Sequence, residues 1–118
     1  MASHLDLGKK GELLAQDYLL QQHYHLLDIN WRHGRREIDI IASQPGCLVF
    51  IEVKTLSNNL YGWPEQKVNA GKRRYLQAAA EAYIERMPQP PPAIRFDVIA
   101  ITFQPDGTHE LLHMEDAF

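Results

Sequence analysis

The sequence predicts an α/β protein, with a mixed β-sheet flanked by α-helices in the order αβββαββ. Three observations carry that expectation. Two stretches place apolar residues at helical spacing. Several shorter stretches alternate polar with apolar residues, or are apolar throughout, as strands are. Glycine and proline clusters separate them.

The first helix is expected from about Leu7 to Gln22, with Leu13, Leu14, Tyr18, Leu19 and Leu20 forming a broad apolar face. A short strand follows from Tyr24 to Asn30. Glu37-Ile38-Asp39-Ile40-Ile41 alternates as a strand, which puts Glu37 and Asp39 on one face and Ile38 and Ile40 on the other. Ser43-Gln44-Pro45-Gly46 has turn chemistry. It leads into Cys47 to Lys54, a run apolar on both faces and therefore a central strand. Asn58 to Pro64 reads as a loop. The second helix is expected from Val68 to Arg86, with Val68, Leu76, Ala79, Tyr83 and Met87 at helical spacing. Pro88-Gln89-Pro90-Pro91-Pro92 ends it, because proline lacks the N–H donor and clashes with the preceding turn. Ile94 to Ile101 is a strongly apolar strand, Pro105-Asp106-Gly107 a turn, and Leu111 to Met114 a weaker final strand.

The 118 residues suit one domain spanning 1–118, and 45% hydrophobic content suffices for a core. No apolar run approaches the ~20 residues that cross a bilayer. The start of the chain lacks the apolar stretch of an export signal. One cysteine, Cys47, excludes an intrachain disulfide and the common structural zinc sites, and fits a reducing, cytoplasmic setting. Cys47 is expected as a small buried apolar residue. The net charge of -3 argues against nucleic-acid binding by bulk electrostatics alone. Positive charge is nevertheless clustered, first at Arg32, His33, Arg35 and Arg36, then at Lys67, Lys72, Arg73 and Arg74. A mildly acidic protein can still carry a basic face.

The chemistry lies in where acids sit relative to strands. Residues i and i+2 of a strand share a face about 6.5–7 Å apart, so Glu52 and Lys54 project together. A hairpin through the turn at 43–46 brings Asp39 near Glu52. Charges on apolar central strands are costly to bury unless paired or bound to a metal, and adjacent carboxylates repel. A divalent cation relieves both. Hard cations such as magnesium take oxygen ligands and keep several waters. Asp39 and Glu52 therefore suit such an ion, and Lys54 suits a role in orienting or deprotonating an attacking water. An isolated Glu-x-Lys is common and by itself reads as a surface ion pair. An acid on an alternating strand, a tight turn, then an apolar strand ending in Glu-x-Lys is a rarer pattern.

Asp39 followed by Glu52-Val53-Lys54 resembles the D…(D/E)-x-K core of the PD-(D/E)XK, restriction-endonuclease-like superfamily. More narrowly, the chain resembles the bacterial YraN-like family of uncharacterised proteins (UPF0102). The matching stretches are Gly8-Lys9-Lys10-Gly11-Glu12 with Ala15, Asn30-Trp31-Arg32, Glu37 to Ile41, Val49 to Thr55, Lys72-Arg73 with Ala79-Ala80, and Arg95-Phe96-Asp97. They span nearly the whole chain in order. The resemblance implies a restriction-endonuclease-like fold, similar to that of archaeal Holliday-junction resolvases. It implies nucleic acid, DNA first, as partner and magnesium or manganese as metal. It adds Glu12, on the first helix, as a third acid of the site. Junction-cleaving relatives work through two sites, which implies a homodimer. The sequence departs from the family pattern twice: Arg36 stands where glycine is usual, and Leu56 where arginine is usual.

The expected site is thus Glu12, Asp39, Glu52 and Lys54, with the three acids as metal ligands. Arg32, Arg35, Arg36, Lys67, Lys72, Arg73, Arg74 and Trp63 are the expected nucleic-acid contacts. Trp31 is expected in the core. Asp97 is expected to be structural, paired with Arg95 or Arg73, and the six histidines to be ordinary. The expected activity is metal-dependent endonuclease cleavage of DNA, including branched or flapped forms. The competing reading is a weakly active or inactive nuclease-fold module that binds nucleic acid with a partner.

Overall fold

The computed structural model describes residues 4–57 and 70–117, with side chains placed for all of these except residues 4–6, 70 and 72. Seven elements follow in the expected order. They are α1 (His4–Gln21), β1 (His25–His33), β2 (Arg36–Gln44), β3 (Cys47–Leu56), α2 (Ala70–Glu85), β4 (Ile94–Phe103) and β5 (His109–Met114). The strands form one sheet in the order β1-β2-β3-β4-β5. All neighbours are antiparallel except β3 and β4, which run parallel and are joined through α2.

Helices cover both faces. The alternation of β3 drives this division. Val49 and Ile51 face α1, where Ala15 and Leu19 meet Ile40, Ala42, Ile99 and Ile101. Leu48 and Phe50 face α2, where Leu76, Ala79 and Ala80 meet Ile38 and Ile41. A strand buried on both faces needs apolar residues at every position, and Leu48 to Ile51 are all fully buried. Phe50 stacks on Phe96 with ring centroids 5.4 Å apart.

Three expectations are corrected. The apolar face of α1 is narrower than the count of leucines suggests. Leu13 and Leu20 are 61% and 53% exposed, and the buried stripe is Gly11, Ala15 and Leu19 at i, i+4 and i+8. The first strand runs past Asn30 to His33 and forms a hairpin with β2, closing through Gly34 and Arg35, with His33 opposite Arg36. Gly34 has φ 64, the left-handed conformation such a tight turn needs. Finally, Ile38 and Ile40 do not share a face, since Ile38 packs with α2 and Ile40 with α1. The change of face coincides with an irregularity across the ladder. Asn30, which would face Asp39, adopts a left-handed φ of 52, and the regular pairing skips that position between Ile29↔Ile40 and Trp31↔Ile38.

Cys47 is half-buried against the α1-side cluster. Trp31 is also half-buried. It meets Tyr83 edge-on at 5.2 Å on one side and stacks on His33 at 6.0 Å on the other.

Candidate functional site

The distortion at Asn30 and Asp39 opens the site. The β2–β3 ladder runs from Gln44↔Cys47 to Ile40↔Ile51 and stops there, whereas β1–β2 pairing continues to the hairpin tip. Beyond Ile40 and Ile51 the sheet forks. Asp39 sits in the crotch, and its Oδ2 accepts the Val53 backbone N–H at 2.8 Å. A side chain thereby satisfies a donor that the departing strand would otherwise leave unpaired.

The fork frames a cleft of about 270 Å³ lined by Arg36, Glu37, Asp39, Phe50, Glu52 and Tyr75, among others. Glu52 projects from the face of β3 that carries Phe50, with Lys54 two residues on. Lys54 Nζ lies 3.8 Å from Glu52 Oε1, and their side chains are 27% and 18% exposed. The ion pair expected from Glu-x-Lys is therefore present and largely shielded.

Burial pushes the Asp39 carboxyl up to about 6. The Val53 N–H opposes the rise, while the negative charges of Glu12, Glu52 and Glu37 add to it. Glu12 thus acts on the same carboxylate as the two strand acids, as its place in the expected set requires. Its position depends on Gly11. A Cβ at Gly11 would collide with Thr55 Oγ1 on β3, so glycine lets α1 settle onto β3 beside the fork. Among the described residues, no three His, Cys, Asp or Glu stand together as a self-sufficient metal cage. Magnesium typically uses one or two carboxylates and keeps its remaining ligands as water. The oxygen donors of Asp39 and Glu52, whose mutual repulsion a cation relieves, fit that habit.

The first basic cluster lies on the β1–β2 hairpin, where Arg32, His33, Arg35 and Arg36 are exposed. Arg32 pairs with Glu37 across the strands at 3.7 Å. In the second cluster, Arg73 and Arg74 are exposed on the first turns of α2. The side chain of Lys72 and all of Trp63 and Lys67 lie outside the described residues. Of the described basic residues Arg36 lines the cleft, and its guanidinium lies 4.7 Å from the centre of the Tyr75 ring.

Tyr75 is the cleft residue that the sequence reading missed. It falls after Lys72-Arg73-Arg74, a run that reads as a solvated helix face. Its i+4 spacing to Ala79 and Tyr83 was the available signal, placing it on the buried stripe. Away from the cleft, Asp97 is fully buried and structural, as expected, with Arg95 as its partner. Arg95 binds both carboxylate oxygens at 2.8 Å, His113 Nε2 lies 2.7 Å from Oδ2, and the Asp116 N–H donates at 3.0 Å. Arg95 also donates to Tyr24, and His113 Nδ1 lies 2.9 Å from the Tyr18 hydroxyl. His113 is therefore not ordinary: it ties β5 to α1 through Tyr18 and to β4 through the buried Asp97. No helix among the described residues is long and apolar enough to cross a membrane.

These features define an α/β protein with a forked five-stranded sheet and an acidic cleft at the fork. The model of the Uncharacterised protein family UPF0102 matches residues 11–101. The chain is 42% identical over its whole length to a UPF0102 protein of Porphyromonas gingivalis, covering 87% of that relative. It is 47% identical to one of Chlorobium phaeobacteroides across 81% of this chain and 76% of the relative. A third, from Christiangramia forsetii, is 40% identical across all of this chain and 98% of the relative. The protein belongs to the UPF0102 family.

Proposed function

We propose that this protein is a metal-dependent phosphodiesterase of the restriction-endonuclease-like class, acting on nucleic acid, DNA first and in branched or flapped form. The observation that carries the reading is the fork. It gathers Asp39, Glu52 and the Glu12 charge beside the Glu52–Lys54 pair, at a cleft whose lining includes Arg36. Helices on both sheet faces and a parallel β3–β4 pair at the centre support the fold assignment. Cytoplasmic location and a homodimer suited to junction cleavage belong to the same proposal.

Asp39 and Glu52 would hold magnesium or manganese, with Glu12 contributing charge or a water-mediated contact. The bound ion supplies Lewis-acid stabilisation of charge on the phosphate and a more acidic water. The chain's own residues do the rest. The Val53 N–H fixes the Asp39 carboxylate. Glu52, which lines the cleft, pairs with Lys54, whose ammonium would orient the attacking water or contact the scissile phosphate. Arg32, Arg35, Arg36, Arg73 and Arg74 position the phosphate backbone without reading sequence.

The test is calorimetric titration of magnesium and manganese into wild type and Glu52→Ala, followed by cleavage assays on linear, single-stranded, flapped and junction DNA. Metal binding and cleavage that are both lost in Glu52→Ala are the expected result. Wild-type protein that binds no metal and leaves every substrate intact overturns it. Leu56, which contributes no charge beyond Lys54, favours the second reading, a nucleic-acid-binding module that acts with a partner. Salt-sensitive DNA binding that survives Glu52→Ala without cleavage is its signature.

A further inference from the structure

Tyr75 presents an unsolved problem in the free protein. Its residue lines the cleft, yet its hydroxyl is buried and makes no hydrogen bond among the described residues. A buried hydroxyl without a partner destabilises the fold, and native proteins keep few such groups. Its surroundings say what would satisfy it. Burial raises Tyr75 above the usual phenol value of 10.0, with the charges of Arg36, Glu37, Asp39 and Glu52 acting on it as well. The group therefore stays a neutral O–H. Three of those charged neighbours are acids, all on the β2 and β3 walls. Arg36 is the cation, and it lies on the ring itself.

From this arrangement we infer that Arg36 and Tyr75 form a composite phosphate clamp, in which the guanidinium and the phenolic O–H donate to oxygens of one phosphodiester group held in the fork opposite Lys54. The inference rests on the nucleic-acid reading above and names how the substrate is gripped. Arg36 is exposed and stacked, so its planar donors stay available in a set orientation while the ring carries its weight. In the clamp, a phosphate drawn to Arg36 at the ring would supply the acceptor that the hydroxyl lacks among the described residues, once the ring turns the hydroxyl toward it. On β3 the position two beyond Lys54 is Leu56, so the cleft's second cation comes from the opposite wall. A clamp of this kind reads the charged backbone, not the bases. It therefore selects a strand that can enter the fork phosphate-first, such as a single strand or a flap, over a continuous duplex.

The test uses Tyr75→Phe, which keeps the ring and the stacking and removes only the O–H, with Arg36→Ala and Lys54→Ala beside it. Binding of a fluorescein-labelled single strand, a flap and a blunt duplex is read by anisotropy in calcium, across a salt series, with thermal melting of each variant. Tyr75→Phe is expected to melt at or above the wild-type temperature while binding the single strand and flap about tenfold more weakly, the scale of one hydrogen bond to a charged group. Arg36→Ala is expected to weaken the same probes and to lower the slope of log affinity against log salt by about one. If Tyr75→Phe and Arg36→Ala bind as wild type does while Lys54→Ala is weakened, the clamp is refuted and the nucleic-acid reading stands. If wild type binds none of the probes, that reading fails and the clamp with it.

Discussion

Asp39→Asn isolates the electrostatic cost of the fork. The free carboxylate is raised from an ordinary 3.8 to about 6, first by burial and then by the negative charges of Glu12, Glu52 and Glu37. Each tenfold change in proton affinity is ~1.4 kcal/mol, so the ionised carboxylate lowers the stability of the metal-free protein by about 3 kcal/mol at most. The sign follows from linkage. A carboxyl whose folded value is raised contributes full stability below its unfolded value, near pH 4, and loses it as pH climbs through 6. Asparagine carries no charge and keeps an oxygen to accept the Val53 N–H. Asp39→Asn should therefore be up to about 3 kcal/mol more stable than wild type at pH 8, and equal to it near pH 4. Urea unfolding of both proteins, in chelator and at several pH values, measures this directly. A gain that is the same at pH 4 and pH 8, or a loss at pH 8, refutes the reasoning, because neither can come from ionised Asp39. Saturating magnesium should erase the difference by stabilising wild type alone.

Two further substitutions test the supports of the site. Asp97→Asn removes a buried charge that holds Arg95 and His113, so it should destabilise the fold by about 3–5 kcal/mol in denaturant. The Asp97 carboxyl is held below its usual range by its donors, against the opposing effect of burial. Its stabilisation is therefore present above the unfolded carboxyl value and disappears in acid, so the gap between variant and wild type should shrink as pH falls. Gly11→Ala should destabilise through the collision with Thr55, and Thr55→Ala added to it should restore most of the loss in thermal melting.

The order of elements was readable because each carries its own local signal. Pro45-Gly46 marks the β2–β3 turn and the proline run ends α2, while the unbroken apolar stretch from Leu48 to Ile51 marks a strand buried on both faces. The approach of Asp39 to Glu52 followed from the turn and the hairpin it closes. What escaped depends on contacts distant in sequence. Ile38 changes face where Asn30, eight positions away on another strand, leaves the extended conformation. Charge disguised the hairpin through Gly34, since a basic segment looks like loop until its partner strand is known. Histidine 113 gains its meaning from Tyr18 and Asp97, which lie 95 and 16 positions away. Tyr75 was legible in principle, because its helical spacing matches Ala79 and Tyr83, but the neighbouring arginines outweighed it.

The place where β2 leaves β3 also has a mechanical consequence. The last rung is Ile40↔Ile51, and Arg36 stands four residues further out, roughly 13 Å at the usual rise of a strand. The hairpin is then a cantilever with its root at Asp39. A small bend about that root would move Arg32 and Arg35 near the tip further than the carboxylates at its base, while the contact of Arg36 with the Tyr75 ring opposes the bend. Under the proposed function, one strand would serve two opposed needs, fixed geometry at the carboxylates and latitude at the hairpin tip.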